Sequence, residues 1–352
     1  MTKDLFMRVT LKEIAAATGM STSTVSHILN RHGNYSEKSC ERVISTAEKM
    51  AYRPNSTARS MRSGKTHQIG VVILNSENLK HKYHYMATYE FILGINEYLA
   101  KKNYILSLIH LNKVEKLEQN SRVFSENILD GMIVIDSIPQ DTCEKIQHEV
   151  KNVIWLETNV WEERCCIRRD EFQVGYKSAK HLIDKGYHEL LWCGGLEMEN
   201  DEPHFSIAER YAGVKQAAKE SAVSLKNMSI NWSLWRRELN EWPELFEMEL
   251  QKIKNQLTKN IGCIAYNPDV LFWLKEGAAR FNRHAGKDFG VICCDETAML
   301  REWYPDAARI AFDRYDFGQQ AAKMLLESLE DKKYKPKSLL IEPKIIIEGK
   351  TI

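Results

Sequence analysis

The sequence predicts an α/β protein in which a small helical head precedes a larger body of two lobes. Residues 1–65 contain 11 lysines and arginines and 5 acidic residues, a net charge of +6, whereas the rest of the chain carries −5. Beyond residue 66, short apolar strands alternate with amphipathic helices, which is the pattern of parallel sheets covered on both faces. At 352 residues, the chain is long enough for two or three domains.

The composition excludes several classes of protein. With 43% hydrophobic and 28% charged residues, the chain is globular rather than disordered. Its longest apolar run, residues 69–74, is far shorter than the ~20 residues that span a bilayer, and the N-terminus lacks a secretory apolar segment. None of the eight cysteines forms a C-x-x-C pair, so reduced core thiols are expected. We therefore expect a cytoplasmic protein with no membrane partner, cofactor or metal site.

The first 50 residues predict three short helices. Thr10 and Glu13 form a capping box at the start of the first helix, and Gly19 supplies a tight turn after it. Ser21 and Ser36 are placed to cap the second and third helices. Apolar residues at helical spacing follow each cap, namely Leu11, Ile14 and Ala15, then Val25, Ile28 and Leu29, then Cys40, Val43, Ile44, Ala47 and Met50. Two short helices joined by a glycine turn predict a helix-turn-helix.

The second helix is expected to expose short polar side chains. These are Thr22, Ser23, Thr24, Ser26 and His27. A helix with short side chains on one face can enter a DNA major groove about 12 Å wide and contact base edges. The alternative is an ordinary three-helix bundle with a solvated face. The net positive charge of the head favours DNA.

Two segments carry a resemblance to a known family. Residues 9–30, VTLKEIAAATGMSTSTVSHILN, resemble the head of the LacI/GalR family of bacterial repressors, and residues 52–62, YRPNSTARSMR, resemble its hinge. The resemblance implies a transcription factor that binds a near-palindromic DNA operator as a homodimer. It implies a DNA-binding domain over 1–53, a hinge helix or linker over 54–66, and an effector-binding and dimerisation domain over 67–352.

The resemblance also assigns DNA-contacting residues. They are Ser21, Thr22, Ser23, Thr24, Ser26, His27 and Asn30 in the head, and Asn55, Ala58 and Met61 in a hinge expected to fold only on DNA. Met61 falls where the family inserts a leucine between base pairs, and such wedges kink the duplex. His27 departs from the arginine that the family usually has. We therefore predict an unusual operator, or binding weaker by roughly 1–3 kcal/mol at that base pair.

The body reads as two similar α/β lobes in series. In the first lobe, strands are predicted at 68–75, 104–110, 131–136 and 153–157, with helices at 85–102, 115–127 and 143–150. In the second, strands are predicted at 190–193, 261–266 and 290–294, with helices at 172–185, 207–220 and 270–283. A helix over 316–330 and a strand over 341–347 follow. We expect a clamshell like the periplasmic sugar-binding proteins, with the first lobe at about 67–165 and 313–340 and the second at about 166–312 and 341–352.

Ligands of parallel sheets bind beyond the carboxyl ends of the strands. This rule nominates Asn75, Asp136, Asn267 and Asp295, and the last also matches the first acid of the family's G-F-D-D segment. The resemblance adds Arg210, in the family's R-x-x-G motif, Asp170, in its V-x-x-D-N motif, and Trp232, where members stack an aromatic ring on a sugar. The alternatives are helix N-caps for the aspartates, a salt bridge between lobes for Arg210 and a core position for the tryptophan.

The function expected from these features is an allosteric repressor of carbohydrate-utilisation genes with a sugar or sugar derivative as effector. The alternative is a regulator that needs no effector or responds to a purine or nucleoside. An enzyme is disfavoured because the P-loop, dinucleotide-binding, G-x-S-x-G and H-E-x-x-H motifs are all absent from the sequence, so no catalytic residue is assigned.

Overall fold

A computed structural model describes residues 9–30, 32–53, 60, 64–75, 82–112, 123, 126–194, 204–228, 250–252, 254–331, 333–343 and 345–352. The chain divides into two compact units, one up to Thr66 and one from His67 onwards. Four predicted contact residues, Asn55, Ala58, Met61 and Trp232, lie outside the described residues, as does most of the helix predicted over 115–127.

The head contains the three predicted helices, α1 (Leu11–Thr18), α2 (Thr22–Leu29) and α3 (Glu37–Lys49). The capping box is present at α1, and Gly19 ends this helix in the left-handed region, with φ at 65°. Ser21 and Ser36 each accept a hydrogen bond at the start of their helices. The apolar residues noted at helical spacing pack together, except for Ile44, which is 44% exposed.

The first lobe is built on a six-stranded sheet in the order β11-β5-β4-β3-β1-β2, in which all pairs are parallel. Its helices are α4 (Lys82–Lys101), α5 (Gln140–Glu149) and α10 (Arg314–Glu330), and α4 packs along α10. Its strands are β1 (Gln68–Asn75), β2 (Ile105–Asn112), β3 (Gly131–Ile135), β4 (Val153–Leu156), β5 (Cys166–Arg169) and β11 (Leu339–Ile341).

The second lobe has a sheet in the order β12-β10-β9-β8-β6-β7, parallel except for the pair β10–β12. Its strands are β6 (Glu189–Cys193), β7 (Ser224–Met228), β8 (Ile261–Ala265), β9 (Gly290–Cys293), β10 (Ala308–Ala311) and β12 (Ile345–Ile347). Its helices are α6 (Glu171–Asp184), α7 (Phe205–Glu220), α8 (Pro268–Arg280) and α9 (Ala298–Trp303).

Between the described strands, the chain passes from one sheet to the other at three places, after β5, after β10 and after β11. Two of these crossings correct the sequence-based boundaries. Residues 166–169 lie in the first sheet, because β5 pairs with β4 and β11, and the single strand predicted over 341–347 is divided between the two sheets. Strand β5 was not predicted because two arginines follow Cys166 and Ile167, which leaves an apolar run too short to indicate a strand.

Helices α6 and α7 approach each other closely where two glycines face the neighbouring backbone. A Cβ atom on Gly175 would lie 1.8 Å from the carbonyl oxygen of Arg210, and one on Gly213 would lie 2.0 Å from that of Phe172. No other residue type fits without a shift of the helices. This contact brings the side chain of Arg210 on α7 against the first residue of α6.

All eight cysteines are free, and six of them are buried. Burial raises the pKa of the Cys143 and Cys294 thiols to about 11, so both remain protonated at neutral pH. Within the described part of the chain, no helix is long and apolar enough to cross a bilayer.

Candidate DNA-binding face and effector cleft

Helix α2 exposes part of the polar row that the sequence predicts. Thr22 and Ser23 are exposed at its N-terminal end. The Ser21 hydroxyl accepts a hydrogen bond from the Thr24 backbone amide at 3.0 Å and lies 2.9 Å from the Thr24 hydroxyl. Ser21 and Thr24 therefore fix the start of the helix, while Thr22 and Ser23 are available to a groove.

Ser26 does not face outward as predicted, because it is only 7% exposed. It follows the buried Val25 and lies at the edge of the helix packing surface. The Asn30 side-chain amide donates to the Ser26 carbonyl oxygen at 2.7 Å and approaches its hydroxyl at 3.4 Å. Ser26 and Asn30 thus contact each other at the last turn of α2. Any contact that they make with DNA would come from this C-terminal end of the helix.

His27 is exposed on α2 and contacts a residue that sequence reasoning did not identify. Its Nδ1 atom lies 3.1 Å from the hydroxyl oxygen of Tyr35, eight residues later in the turn before α3. Gly33 allows this turn, since its φ is +83° and a Cβ there would lie 3.1 Å from the Tyr35 ring. The distance between residues 27 and 35 along the sequence gives no periodic signal that could have predicted the contact.

In the body, Arg210 is paired with Glu171. The Glu171 carboxylate accepts from Arg210 Nε at 2.6 Å and from Nη2 at 2.9 Å, while Arg210 Nη1 donates to the Tyr266 carbonyl oxygen at 2.6 Å. Glu171 is fully buried and Arg210 is 1% exposed. The arginine that the sequence assigned to a ligand is thus held by a side chain of its own lobe.

Asp295 is held in a similar way by arginines from the first lobe. Its Oδ1 atom lies 2.6 Å from Arg314 Nη2 and 3.1 Å from Arg169 Nη1. Arg169 in turn lies 2.5 Å from a carboxylate oxygen of Glu157. We call these six residues, Glu157, Arg169, Glu171, Arg210, Asp295 and Arg314, the ion cluster.

The ion cluster joins three arginines to three carboxylates, so its formal charges cancel. Burial alone would raise the pKa values of Glu171 and Asp295, but the facing guanidinium groups outweigh burial and hold both pKa values below their usual range. The cluster connects the lobes, because Glu157, Arg169 and Arg314 belong to the first and the others to the second. It is therefore a satisfied interlobe network rather than an unpaired set of ligand-binding groups.

A second contact crosses the cleft between Asp136, which follows β3, and His204, which precedes α7. His204 Nε2 lies 3.2 Å from Asp136 Oδ1, and its Nδ1 lies 2.6 Å from the Ser206 hydroxyl. The Ser206 hydroxyl is in turn 2.7 Å from that of Tyr266. Asp136 adopts a left-handed conformation, with φ at 71°. This predicted residue therefore lies in the cleft, with a partner that the sequence did not suggest.

The remaining predicted cleft residues separate into two groups. Asp170 and Asn267 each cap a helix, accepting hydrogen bonds from the Gln173 and Val270 amides at 2.9 and 3.0 Å. For Asp170 this is the helix-cap alternative that the sequence left open, whereas for Asn267 the sequence suggested no cap. Asn75 ends β1, and its side chain lies outside the described part of the structure, as does Trp232.

The sequence contained one signal of the ion cluster. Glu171 stands where the V-x-x-D-N motif has asparagine, and a carboxylate at that position can neutralise an arginine whereas an amide cannot. Arg169 and Arg314 gave no such signal. Among the residues described, no group of three or more histidine, cysteine, aspartate or glutamate side chains is placed to hold a metal ion.

Comparison with known proteins matches almost the whole chain. The model of "Bacterial regulatory proteins, lacI family" matches residues 10–55, that of "Periplasmic binding proteins and sugar binding domain of LacI family" matches 66–232, and that of "Periplasmic binding protein-like domain" matches 179–352. The HTH-type transcriptional repressor PurR of Vibrio vulnificus is 25% identical over 348 residues, which cover 96% of this chain and 97% of the relative.

Solved structures share the fold. The crystal structure of the Lac repressor dimer bound to operator and the anti-inducer ONPF superposes with a TM-score of 0.73 at 18% identity, covering 98% of this chain and 99% of that one. The complex of the transcriptional regulator CelR with cellobiose has a TM-score of 0.64 at 16% identity, covering 98% of this chain and 100% of the other.

Proposed function

Because this chain belongs to the lacI family of bacterial regulatory proteins and is a DNA-binding transcriptional repressor, not an enzyme, we propose that it acts as a homodimer on a near-palindromic operator. The exposed polar side chains of α2 support the proposal, since Thr22, Ser23 and His27 are all exposed and side chains of a recognition helix can contact base edges. The positive charge of the head supplies phosphate contacts. The protein would act in the cytoplasm, where the chromosome lies.

The first lobe offers an apolar surface for a second copy. Leu108 on β2, at the edge of the first sheet, is 44% exposed, and Leu93 on α4, which packs on the same face of that sheet, is 41% exposed. Ile105 is 64% exposed on the opposite face of the strand. An exposed apolar edge of this kind favours pairing with another chain. Leu93→Lys combined with Leu108→Lys should convert a dimer in sedimentation into a monomer. A dimer in the double variant would contradict this choice of surface.

Selection from a random pool of double-stranded DNA tests operator binding. The full-length protein should enrich one near-palindromic sequence, with an affinity that falls steeply with added salt as counterions are released. Deletion of residues 1–65 should abolish binding and leave a soluble dimer. A truncated protein that still bound the operator, or a pool without enrichment, would overturn the proposal.

The effector is a separate question. The sequence favoured a sugar, and with it genes of carbohydrate use, whereas its alternative was a regulator that needs no effector or responds to a purine. We propose the effector-independent form, because Arg210 and Asp295 already have buried partners of opposite charge. A ligand that engaged Arg210 would have to separate it from Glu171, and breaking a buried ion pair typically costs about 3–5 kcal/mol.

In this proposal the Glu171 carboxylate is a tethered substitute for an effector. A small carboxylate from solution should then be able to replace the Glu171 carboxylate in a variant that lacks this side chain. In Glu171→Ala, acetate at constant ionic strength should raise the midpoint of thermal unfolding relative to chloride, since it can enter the Arg210 guanidinium fork. For the wild type, acetate should give the same midpoint as chloride does. Panels of sugars and nucleobases should also leave the wild-type midpoint unchanged.

Glu209→Ala provides the matched control. Glu209 precedes Arg210 on α7, and its carboxylate lies 2.5 Å from Arg168 but is 41% exposed. Removing it deletes the same charge from the neighbouring helix, at a side chain that is not buried, so acetate should have no specific effect. A sugar or nucleobase that stabilised the wild type and changed its operator affinity would overturn effector independence. Glu171→Ala without an acetate response would overturn the tethered-carboxylate explanation.

A further inference from the structure

We propose that Tyr35 is a positioning residue for base recognition and that it acts by fixing the ring orientation and the tautomer of His27. The proposal rests on the proposed function, in which α2 enters the major groove. It assigns a role to a residue that lies outside α2 and outside the set of contact residues predicted from the sequence.

The geometry links the two side chains directly. The Tyr35 hydroxyl oxygen lies 3.1 Å from His27 Nδ1, within hydrogen-bonding distance, and the ring centroids are 6.5 Å apart. The backbone between them is also constrained, because the His32 amide donates to the His27 carbonyl oxygen at 2.8 Å. The left-handed turn at Gly33 leaves room for the Tyr35 ring. The His27 side chain is exposed and would otherwise rotate about its two side-chain torsions. The contact with Tyr35 restricts this rotation.

The hydrogen bond also selects which imidazole nitrogen carries the proton. A phenol is a good donor and an unprotonated imidazole nitrogen is a strong acceptor, so the Tyr35 hydroxyl donates and Nδ1 accepts. The proton of the neutral ring then lies on Nε2, since the bond made by one ring nitrogen sets the state of the other. Within the described part of the chain, His27 Nε2 has no hydrogen-bond partner.

A single fixed N–H donor can recognise only an acceptor. In the major groove, acceptors are presented by guanine O6 and N7, adenine N7 and thymine O4, whereas the exocyclic amino group of cytosine is a donor. The chemistry thus predicts that His27 recognises a purine or thymine on one strand at one base pair of each half-site. Without Tyr35, the ring could present either a donor or an acceptor, and discrimination at that base pair would fall.

The test is a double-mutant cycle with the full-length protein. Affinities of wild type, His27→Ala, Tyr35→Phe and the double variant are measured for the selected operator and for all its single base-pair changes. His27→Ala should lower discrimination by about fivefold or more at one base pair of each half-site. Tyr35→Phe should lower discrimination at the same base pair, and should have no further effect in the His27→Ala background.

The cycle separates positioning from a merely structural role. Tyr35 is 36% exposed, so Tyr35→Phe should leave the thermal unfolding midpoint and binding to non-operator DNA unchanged. Equal loss of affinity for every base-pair variant, unchanged discrimination, or the same effect with and without His27 would each overturn the proposal. Failure to select any operator with the wild type would instead overturn the proposed function.

Discussion

The Glu171 carboxylate occupies the guanidinium fork of Arg210, with N–O distances of 2.6 and 2.9 Å, and both side chains are almost fully buried. Lys226 forms a pair of similar length with Glu189, at 2.7 Å, but both of these side chains are 43% exposed. Water screens the exposed pair but not the buried pair. Removing the two pairs should therefore change the free energy of unfolding by different amounts, although their lengths are similar.

Removing Arg210 should therefore destabilise the body far more than removing Lys226. Arg210→Ala leaves Glu171 buried with a weaker set of partners, and we expect a loss of about 3–5 kcal/mol in the free energy of unfolding. Lys226→Ala should cost about 0–1 kcal/mol, as exposed pairs do. Urea unfolding at pH 7 measures both, and equal effects of the two substitutions would show that the ion cluster is not the stronger arrangement.

The ion cluster should make stability depend on acid. The folded-state pKa of Glu171 is lowered, because Arg169 and Arg210 outweigh the effect of burial. The pair therefore contributes fully above the unfolded pKa, about 4.3, and its contribution is lost as the pH falls through the lower folded value. The difference in unfolding free energy between wild type and Glu171→Gln should be large at pH 7 and shrink below pH ~4.

Urea unfolding of both proteins between pH 7 and pH ~3.5 provides this comparison. Glu209→Gln serves as the reference, since the Glu209 side chain is 41% exposed whereas Glu171 is fully buried. It should differ little from wild type across the range. A Glu171→Gln difference that did not change with pH would mean that the carboxylate charge is not what stabilises the site.

Gly213→Ala should weaken the contact between α6 and α7. In an open helix, alanine in place of glycine would stabilise by roughly 0.5–1 kcal/mol. Here its methyl group would lie 2.0 Å from the Phe172 carbonyl oxygen, so the helices must separate. We expect a net loss of about 1–3 kcal/mol, as overpacking produces. Thermal unfolding checks this against exposed Gln216→Ala on the same helix, and a stabilised Gly213→Ala would refute the close approach.

His27→Arg should move the selected operator towards those of typical family members. An arginine can donate to guanine O6 and N7 together, whereas a fixed imidazole offers one donor, so guanine should be enriched at the contacted base pair. Selection with the two proteins in parallel shows the difference. An unchanged sequence preference would mean that His27 contacts no base edge.

Sequence patterns predicted the overall architecture because most of its elements are specified locally, although β7, β10 and α9 were not predicted. Thr10, Ser21 and Ser36 marked helix starts, and the apolar run of β1 marked a buried strand, all within a few residues of their position in the structure. Strand β5 was missed because Arg168 and Arg169 interrupt its pattern. Those charges are tolerated in a buried strand because Glu157 and Glu209, far away in the sequence, pair with them.

The cleft was harder to predict than the fold for the same reason. The sequence nominated Asp295 by the strand-end rule and Arg210 by the family motif, but neither criterion can tell a side chain that awaits a ligand from one already paired. That distinction depends on Glu171, Arg169 and Arg314, which approach through tertiary packing. Ser26 was wrongly predicted to be exposed because a helix of eight residues has too few apolar positions to show where its buried face ends.

The three crossings between the sheets have a consequence for how such a protein changes over generations. Because residues 339–341 complete one sheet and 345–347 the other, neither lobe is a contiguous stretch of the gene. A recombination event within the body, or a frameshift late in it, therefore exchanges or removes parts of both lobes at once. The head, by contrast, is encoded by one contiguous stretch of the gene. Recombination can therefore exchange the head, and with it the target site, without altering the body.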